Sequence, residues 1–193
     1  MVTFSIPDKH SFTEFKVEAG SVMFAGSRYL KIPQETARLI VSGFDRLGFS
    51  FLTGCAAGVD ESFRSVLALD QFSESVIVAC AFRRRMESLK GLFTLFVVPE
   101  GLAPRAALAK RTLWMVSRCS LLVLFPSEPF GKGSLLAFKS AIFQNKPVFV
   151  VSDVIPDSND LYSVVSSNLF GVVKGYWCIP PVYRETKMCY EGA

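Results

Sequence analysis

The chain has 193 residues, half of them apolar and 20% charged, with a formal net charge of +4. That length supports one well-filled domain rather than two independent cores, and the composition excludes a disordered chain. A mildly basic balance does not by itself argue for nucleic acid.

No apolar run reaches the roughly 18–20 residues that a membrane-spanning helix needs. The start, MVTFSIPDKH, lacks a basic region followed by an apolar one, so no signal peptide is expected. The five cysteines (Cys55, Cys80, Cys119, Cys178, Cys189) form no CxxC pair. They read as reduced, mostly buried thiols of a cytoplasmic protein. The single histidine, His10, leaves no zinc-ligand cluster and no Ser-His or Cys-His hydrolase. The 18 phenylalanines point to a Phe-rich core.

In chain order, Thr13 to Glu18 (TEFKVE) alternates like a short edge strand. Ser21 to Ala25 is an apolar strand closed by Gly26-Ser27-Arg28. A helix opened by Pro33 has Ala37, Ile40, Val41, Phe44 and Leu47 on one face and stops at Gly48. Phe49 to Leu52 is a strand, followed by the small-residue turn Thr53 to Asp60 and a helix through Phe63, Val66 and Leu69. Ser75 to Cys80 is a strand, with Arg83-Arg84-Arg85 directly after it. Thr94 to Val98 is another, ended by Pro99-Glu100-Gly101. Residues 103–118 form a helix with Leu108, Leu113, Met115 and Val116 inward. Leu121 to Phe125, a helix over 133–144 and a strand over 147–151 follow. Residues 157–160 read as a turn, Leu169 to Ile179 as one late strand, and the last ten residues as a mobile tail.

Recurring strand–helix–strand units with short connections and non-alternating apolar strands predict a doubly wound α/β fold. Its sheet is mostly parallel and Rossmann-like, with helices on both faces. The chain is read as a single domain with a core over about 21–152, a lead over 1–20 and an extension over 153–193.

In such a fold the carboxyl ends of the parallel strands share one edge, so three loops can converge on a crevice there. They are Gly26-Ser27-Arg28, Gly54 to Asp60 (with Gly58), and Gly131-Lys132-Gly133-Ser134. Glycine allows close backbone approach, Ser27 and Ser134 offer hydroxyls, and Arg28 and Lys132 supply positive charge. A helix starting after Gly133 adds free N–H groups, which suit a phosphate. Each glycine also fits an ordinary strand-to-helix turn, and Lys132 also fits a solvated surface. Asp60 either caps the next helix or accepts from a sugar hydroxyl. Arg105, Lys110 and Arg111, like Arg83 to Arg85, read as a solvated face or as a basic rim to the crevice. The loop at Gly131 is not a Walker P-loop, and no GxGxxG follows the first strand, so no nucleotide cofactor is expected.

These motifs, in this order, resemble the DprA/Smf and LOG group of Rossmann-like proteins, gathered as the SLOG superfamily. The GSR turn is Gly26-Ser27-Arg28. The SGxAxGID signature corresponds to Thr53-Gly54-Cys55-Ala56-Ala57-Gly58-Val59-Asp60. The late SGSLxTA…VFAVPG signature corresponds to Gly131 to Ala137, running through Ala141 to Lys146-Pro147-Val148-Phe149-Val150-Val151. The family's basic segment falls at Lys110-Arg111, and the likeness covers about residues 21–152. It implies binding of a nucleotide or of single-stranded DNA, through a homodimer or higher oligomer. The LOG enzymes cleave nucleoside monophosphates with a PGGxGTxxE motif. Here Lys132 replaces its second glycine and Ala137 its glutamate, so the resemblance implies recognition ahead of hydrolysis. In a hydrolase, Asp60, Glu61 or Glu128 would have to serve as acid or base.

Overall fold

A computed structural model describes residues 1–7, 12–69, 72–86, 88–89 and 91–183. The strands are β1 (Val2–Pro7), β2 (Phe12–Val17), β3 (Ser21–Gly26), β4 (Ser50–Gly54), β5 (Val76–Cys80), β6 (Thr94–Phe96), β7 (Leu121–Phe125), β8 (Val148–Val150), β9 (Ser163–Leu169) and β10 (Val173–Ile179). The helices are α1 (Gln34–Arg46), α2 (Val59–Leu67), α3 (Arg83–Met86), α4 (Pro104–Arg118) and α5 (Lys132–Phe143). The main sheet has the order β6-β5-β4-β3-β7-β8-β10-β9. Its first six strands are parallel, and β10 and β9 add an antiparallel end. The doubly wound α/β expectation holds.

Strand residues alternate between two cores. Val22, Phe24, Phe51, Leu121, Val123, Phe125 and Phe149 face the side covered by α1 and α2. Met23, Leu52, Leu122, Leu124, Val148 and Val150 face α4 and α5. Both faces are covered, so both sets are apolar and the strands read as unbroken runs. Phenylalanines fill the first core. Phe24 stacks on Phe63 with ring centroids 4.0 Å apart and meets Phe44 edge-on at 6.1 Å.

Two elements differ from the sequence expectation. The TEFKVE segment is not an edge of the main sheet; β2 pairs with β1 as a separate hairpin. That hairpin covers the part of the sheet beyond α1, where Phe4 and Phe15 pack on Trp177 at 5.2 and 5.0 Å. The stretch 169–179 is not one strand. It is the end of β9, a turn at Phe170-Gly171-Val172, and β10. Phe170 takes φ +52° and lays its ring on Gly43 of α1 and against Phe44. An apolar turn of this kind carries no polar punctuation, so the sequence runs straight through it. In α4, Met115 and Val116 are buried as expected, whereas Leu113 is 37% exposed. The tail after residue 183, with Cys189, and His10 lie outside the described residues.

Candidate functional site

The chain builds outward from β3 to β4, β5 and β6, then returns to add β7 and β8 on the other side of β3. The connections after β3 and β7 therefore diverge, and a crevice opens between their carboxyl ends. A cavity of about 460 Å³ lies there.

Backbone contacts bring the first two loops together. The Ser27 N–H donates to the Phe125 carbonyl at 2.8 Å, extending the β3–β7 ladder, and the Val59 N–H donates to the Ser27 carbonyl at 3.1 Å. Glycine is required at two of these crossings. A Cβ on Gly26 would stand 2.2 Å from the Phe125 carbonyl oxygen, and one on Gly58, at φ +71°, would stand 2.4 Å from that of Ser27. Arg64 fastens the second loop from below. Its Nη1 donates to the carbonyls of Gly54 at 2.6 Å and Ala56 at 2.8 Å. Burial lowers its pKa, with Asp60 opposing the shift.

Gly26, Arg28, Asp60, Arg111, Lys132, Gly133 and Ser134 line the cavity together. Gly54, Gly58 and Gly131 shape the loops instead. Ser27 is buried, and its hydroxyl oxygen accepts from the Tyr29 N–H at 3.2 Å. Arg105 also lines the cavity, while Lys110 is exposed on α4. Met23, Leu108, Met115, Leu136 and Ala137 make up an apolar part of the lining. Of the triple arginine, Arg83 pairs with Glu100 at 2.8 Å on the outside, and Arg85 lines a smaller cavity next door.

Helix α5 begins at the cavity. Its N-cap residue, Gly131, makes no side-chain capping bond, and the first bond inside the helix runs from the Leu135 N–H to the Gly131 carbonyl. The amides of Lys132, Gly133 and Ser134 thus have no partner within the helix. They sit at its positive end, where an anion is favoured.

Arg111 is 8% exposed. Its Nη2 lies 3.7 Å from Asp60 Oδ2, and its Nη1 donates to Cys55 Sγ at 3.7 Å. Its Nε is buried with no hydrogen-bond partner. A buried guanidinium N–H left unmatched is costly. Asp60 is not the cap of α2, whose N-cap residue is Gly58. Its carboxylate accepts from the Ala56 N–H at 3.2 Å and faces Arg111. Glu61 is exposed, and Glu128 accepts a bond from the Ser152 hydroxyl, so neither lines the cavity.

Sequence reasoning did not single out Cys55 or Arg64. The Cys55 thiol is pushed well below the usual range, to about 5, chiefly by neighbouring Cys80 and then by the Ala81 backbone and the Arg111 charge, against the effect of burial. Among the described residues no group of three or more His, Cys, Asp or Glu side chains is placed to hold a metal. No helix among them is long and apolar enough to cross a membrane.

No protein-family model matches the sequence, and no curated protein aligns with it. Among the solved structures that share the architecture, two are of DNA processing protein A. One is DNA processing protein A of Streptococcus pneumoniae, at TM-score 0.55 and 17% identity, matched over 76% of this chain and 56% of that one. The fold is DprA-like. The other is DNA processing protein A of Helicobacter pylori, described for its single-stranded DNA binding mode, at TM-score 0.52 and 16% identity over 72% of this chain and 68% of that one. At such identities the likeness is one of fold, and the present chain spans little more than half the length of the pneumococcal DprA.

Proposed function

We propose that this DprA-like chain is an SLOG-type domain that binds a phosphate of a nucleotide or of single-stranded nucleic acid at the carboxyl edge of its sheet. The observation that carries the reading is Arg111. It is a buried cation with an unmatched Nε, set in a cavity that also holds Arg28, Arg105, Lys132 and the start of α5. Arg111 and the α5 amides take the phosphate oxygens, with the longer, more exposed cations closing around them. The apolar wall of Met23, Leu108 and Met115 accommodates a base or sugar face. Of the three carboxylates considered for hydrolysis, Asp60 alone lines the cavity and is engaged by Arg111, so the reading is recognition rather than turnover.

A nucleic-acid strand longer than one cavity is tracked best by paired copies, so the reading includes a homodimer or higher oligomer. Titration with a nucleotide panel and a short single-stranded DNA, followed by fluorescence anisotropy, tests it. Saturable binding that Arg111→Ala weakens supports the site. Absence of binding to every probe removes the reading.

A further inference from the structure

Next to the main cavity is a smaller one of about 190 Å³, lined by Arg28, Cys55, Phe82, Arg85, Leu108 and Arg111. Cys55 is the sulfur in its wall. It follows β4 directly, and Cys80 ends the neighbouring parallel strand β5, whose Ala79 is in register with Gly54. Cys55 is the first residue past the last pair of that ladder and Cys80 is the residue after Ala79, and both belong to the core under α1 and α2. Adjacent strands run about 4.8 Å apart, inside the Cα separation of roughly 4.4–6.8 Å that a disulfide spans.

We propose that Cys55 and Cys80 form a reversible dithiol–disulfide couple, oxidised by small hydroperoxides that enter through the arginine-lined cavity. The proposal does not depend on what the larger cavity binds.

The local chemistry assigns the two sulfurs different parts. Arg111 Nη1 donates to Cys55 Sγ at 3.7 Å, and neighbouring Cys80, the Ala81 backbone and the Arg111 charge lower the Cys55 pKa. These groups stabilise its thiolate, the nucleophilic form. Cys80 is fully buried and holds its proton, because neighbouring Cys55 and burial both disfavour its charge. Cys55 is therefore the attacking thiol and Cys80 the resolving one.

In the first step the Cys55 thiolate attacks the outer peroxide oxygen. An S–O bond forms, the O–O bond breaks, and the departing alkoxide takes a proton from solvent, giving Cys55 sulfenic acid and an alcohol. In the second step the Cys80 sulfur attacks the Cys55 sulfur. The S–O bond breaks, and the hydroxide leaves with the Cys80 proton as water. Two thiols have lost two electrons and two protons, and one hydroperoxide has been reduced. The Arg111 and Arg85 guanidinium groups beside the cavity favour the negative charge that builds on the leaving oxygen. A small-molecule thiol reverses the couple.

The other described cysteines provide an internal control. Cys119 and Cys178 are buried, and burial pushes their thiols up to about 11 and about 12. Both remain protonated and unreactive at neutral pH.

The test uses the full chain carrying Cys189→Ser, treated with stoichiometric hydrogen peroxide near pH 7 and read by intact mass and peptide mapping. The expected product has lost two hydrogens, maps to a Cys55–Cys80 link, and reverts with dithiothreitol. Cys80→Ser is expected to stop at a sulfenic acid on Cys55 that a dimedone probe captures, and Cys55→Ser to give neither product. A link mapped to other cysteines, oxidation of Cys55 to sulfinic acid with Cys80 present, or an unchanged mass overturns the proposal. The map of the Cys189→Ser chain carries the decision even if a Cys55 or Cys80 serine variant folds poorly.

Discussion

Arg111 and Asp60 form a buried ion pair across the crevice, Nη2 to Oδ2 at 3.7 Å, with side chains 10% and 7% exposed. The separation is loose for a charge-assisted hydrogen bond, and Nε of the same guanidinium has no partner at all. The arginine is held in place by Asp60 and Cys55 while part of its donor capacity stays uncommitted. Arg111→Ala leaves the Asp60 carboxylate buried without its cation, a change that costs about 3–5 kcal/mol in comparable pairs. Arg111→Lys retains the charge but not the fork. Phosphate-ligand affinity is expected to fall about tenfold to a hundredfold in the lysine variant, with the smaller loss of stability. Isothermal titration and urea unfolding on both variants separate the two effects. Unchanged affinity in Arg111→Lys would place the phosphate elsewhere.

Gly54 makes room for that pair. A Cβ there would stand 2.3 Å from Asp60 Oδ2 and 2.9 Å from the Arg111 guanidinium carbon. Gly54→Ala therefore has to push the pair apart, and ligand affinity is expected to drop with a stability loss of about 1–3 kcal/mol. Gly43→Ala is the matched control. Its Cβ would strike the Phe170 ring at 2.4 Å, on the α1 side of the sheet. It is expected to destabilise the fold by a similar amount and to leave affinity unchanged. Equal affinity losses in the two variants would refute a local role for Gly54.

Salt dependence counts the phosphates engaged. Arg28, Arg105, Arg111 and Lys132 all line the cavity. If each neutralises a phosphate of single-stranded DNA, log affinity falls with log salt at a slope of about −3. The double variant Arg28→Ala with Lys132→Ala is expected to reduce that slope by about half. Anisotropy titrations at four salt concentrations give it directly, and a flat profile in the unsubstituted protein would exclude an electrostatic grip on the strand.

The parallel core was legible because its strands are continuous apolar runs, and β3 and β4 both end in glycine. Gly26, Gly54 and the Gly131 loop all fall at strand ends or helix starts for that reason. The inward phase of α4 was partly legible too. Leu108, Arg111, Thr112 and Met115 recur at helical spacing and all line the cavity, while neighbouring Lys110 points away. Three features were not legible. Strand β9 (Ser163–Leu169) is serine-rich and mostly half-exposed and does not read as a strand, and the expected strand runs from its last residue through the turn at Phe170-Gly171-Val172 into β10. Arg64 lies in an ordinary amphipathic helix, and only tertiary structure shows it binding the carbonyls of Gly54 and Ala56. Cys55 and Cys80 each follow a residue of the last β4–β5 pair, Gly54 and Ala79, so their closeness follows from sheet order and not from cysteine spacing.

The buried thiols set an alkaline limit on stability. Burial raises the Cys119 thiol from an ordinary 9.0 to about 11 and the Cys178 thiol to about 12. Above about pH 9 the unfolded chain loses these protons while the folded chain keeps them. The unfolded state then binds fewer protons, so stability falls as pH rises from about 9 towards the folded values. Lys146 works in the opposite direction, since burial lowers its pKa and the folded chain loses that proton first. Two deeply buried thiols outweigh one half-buried amine, whose Nζ also donates to the Val116 carbonyl. The urea midpoint is therefore expected to drop between pH 8.5 and about 10.5, by the equivalent of about 1–3 kcal/mol. Cys178→Ala, which removes one of the raised groups, is expected to flatten that decline whatever it costs at neutral pH. A midpoint that holds level or climbs over this range would show that the thiols ionise as freely in the fold as in water.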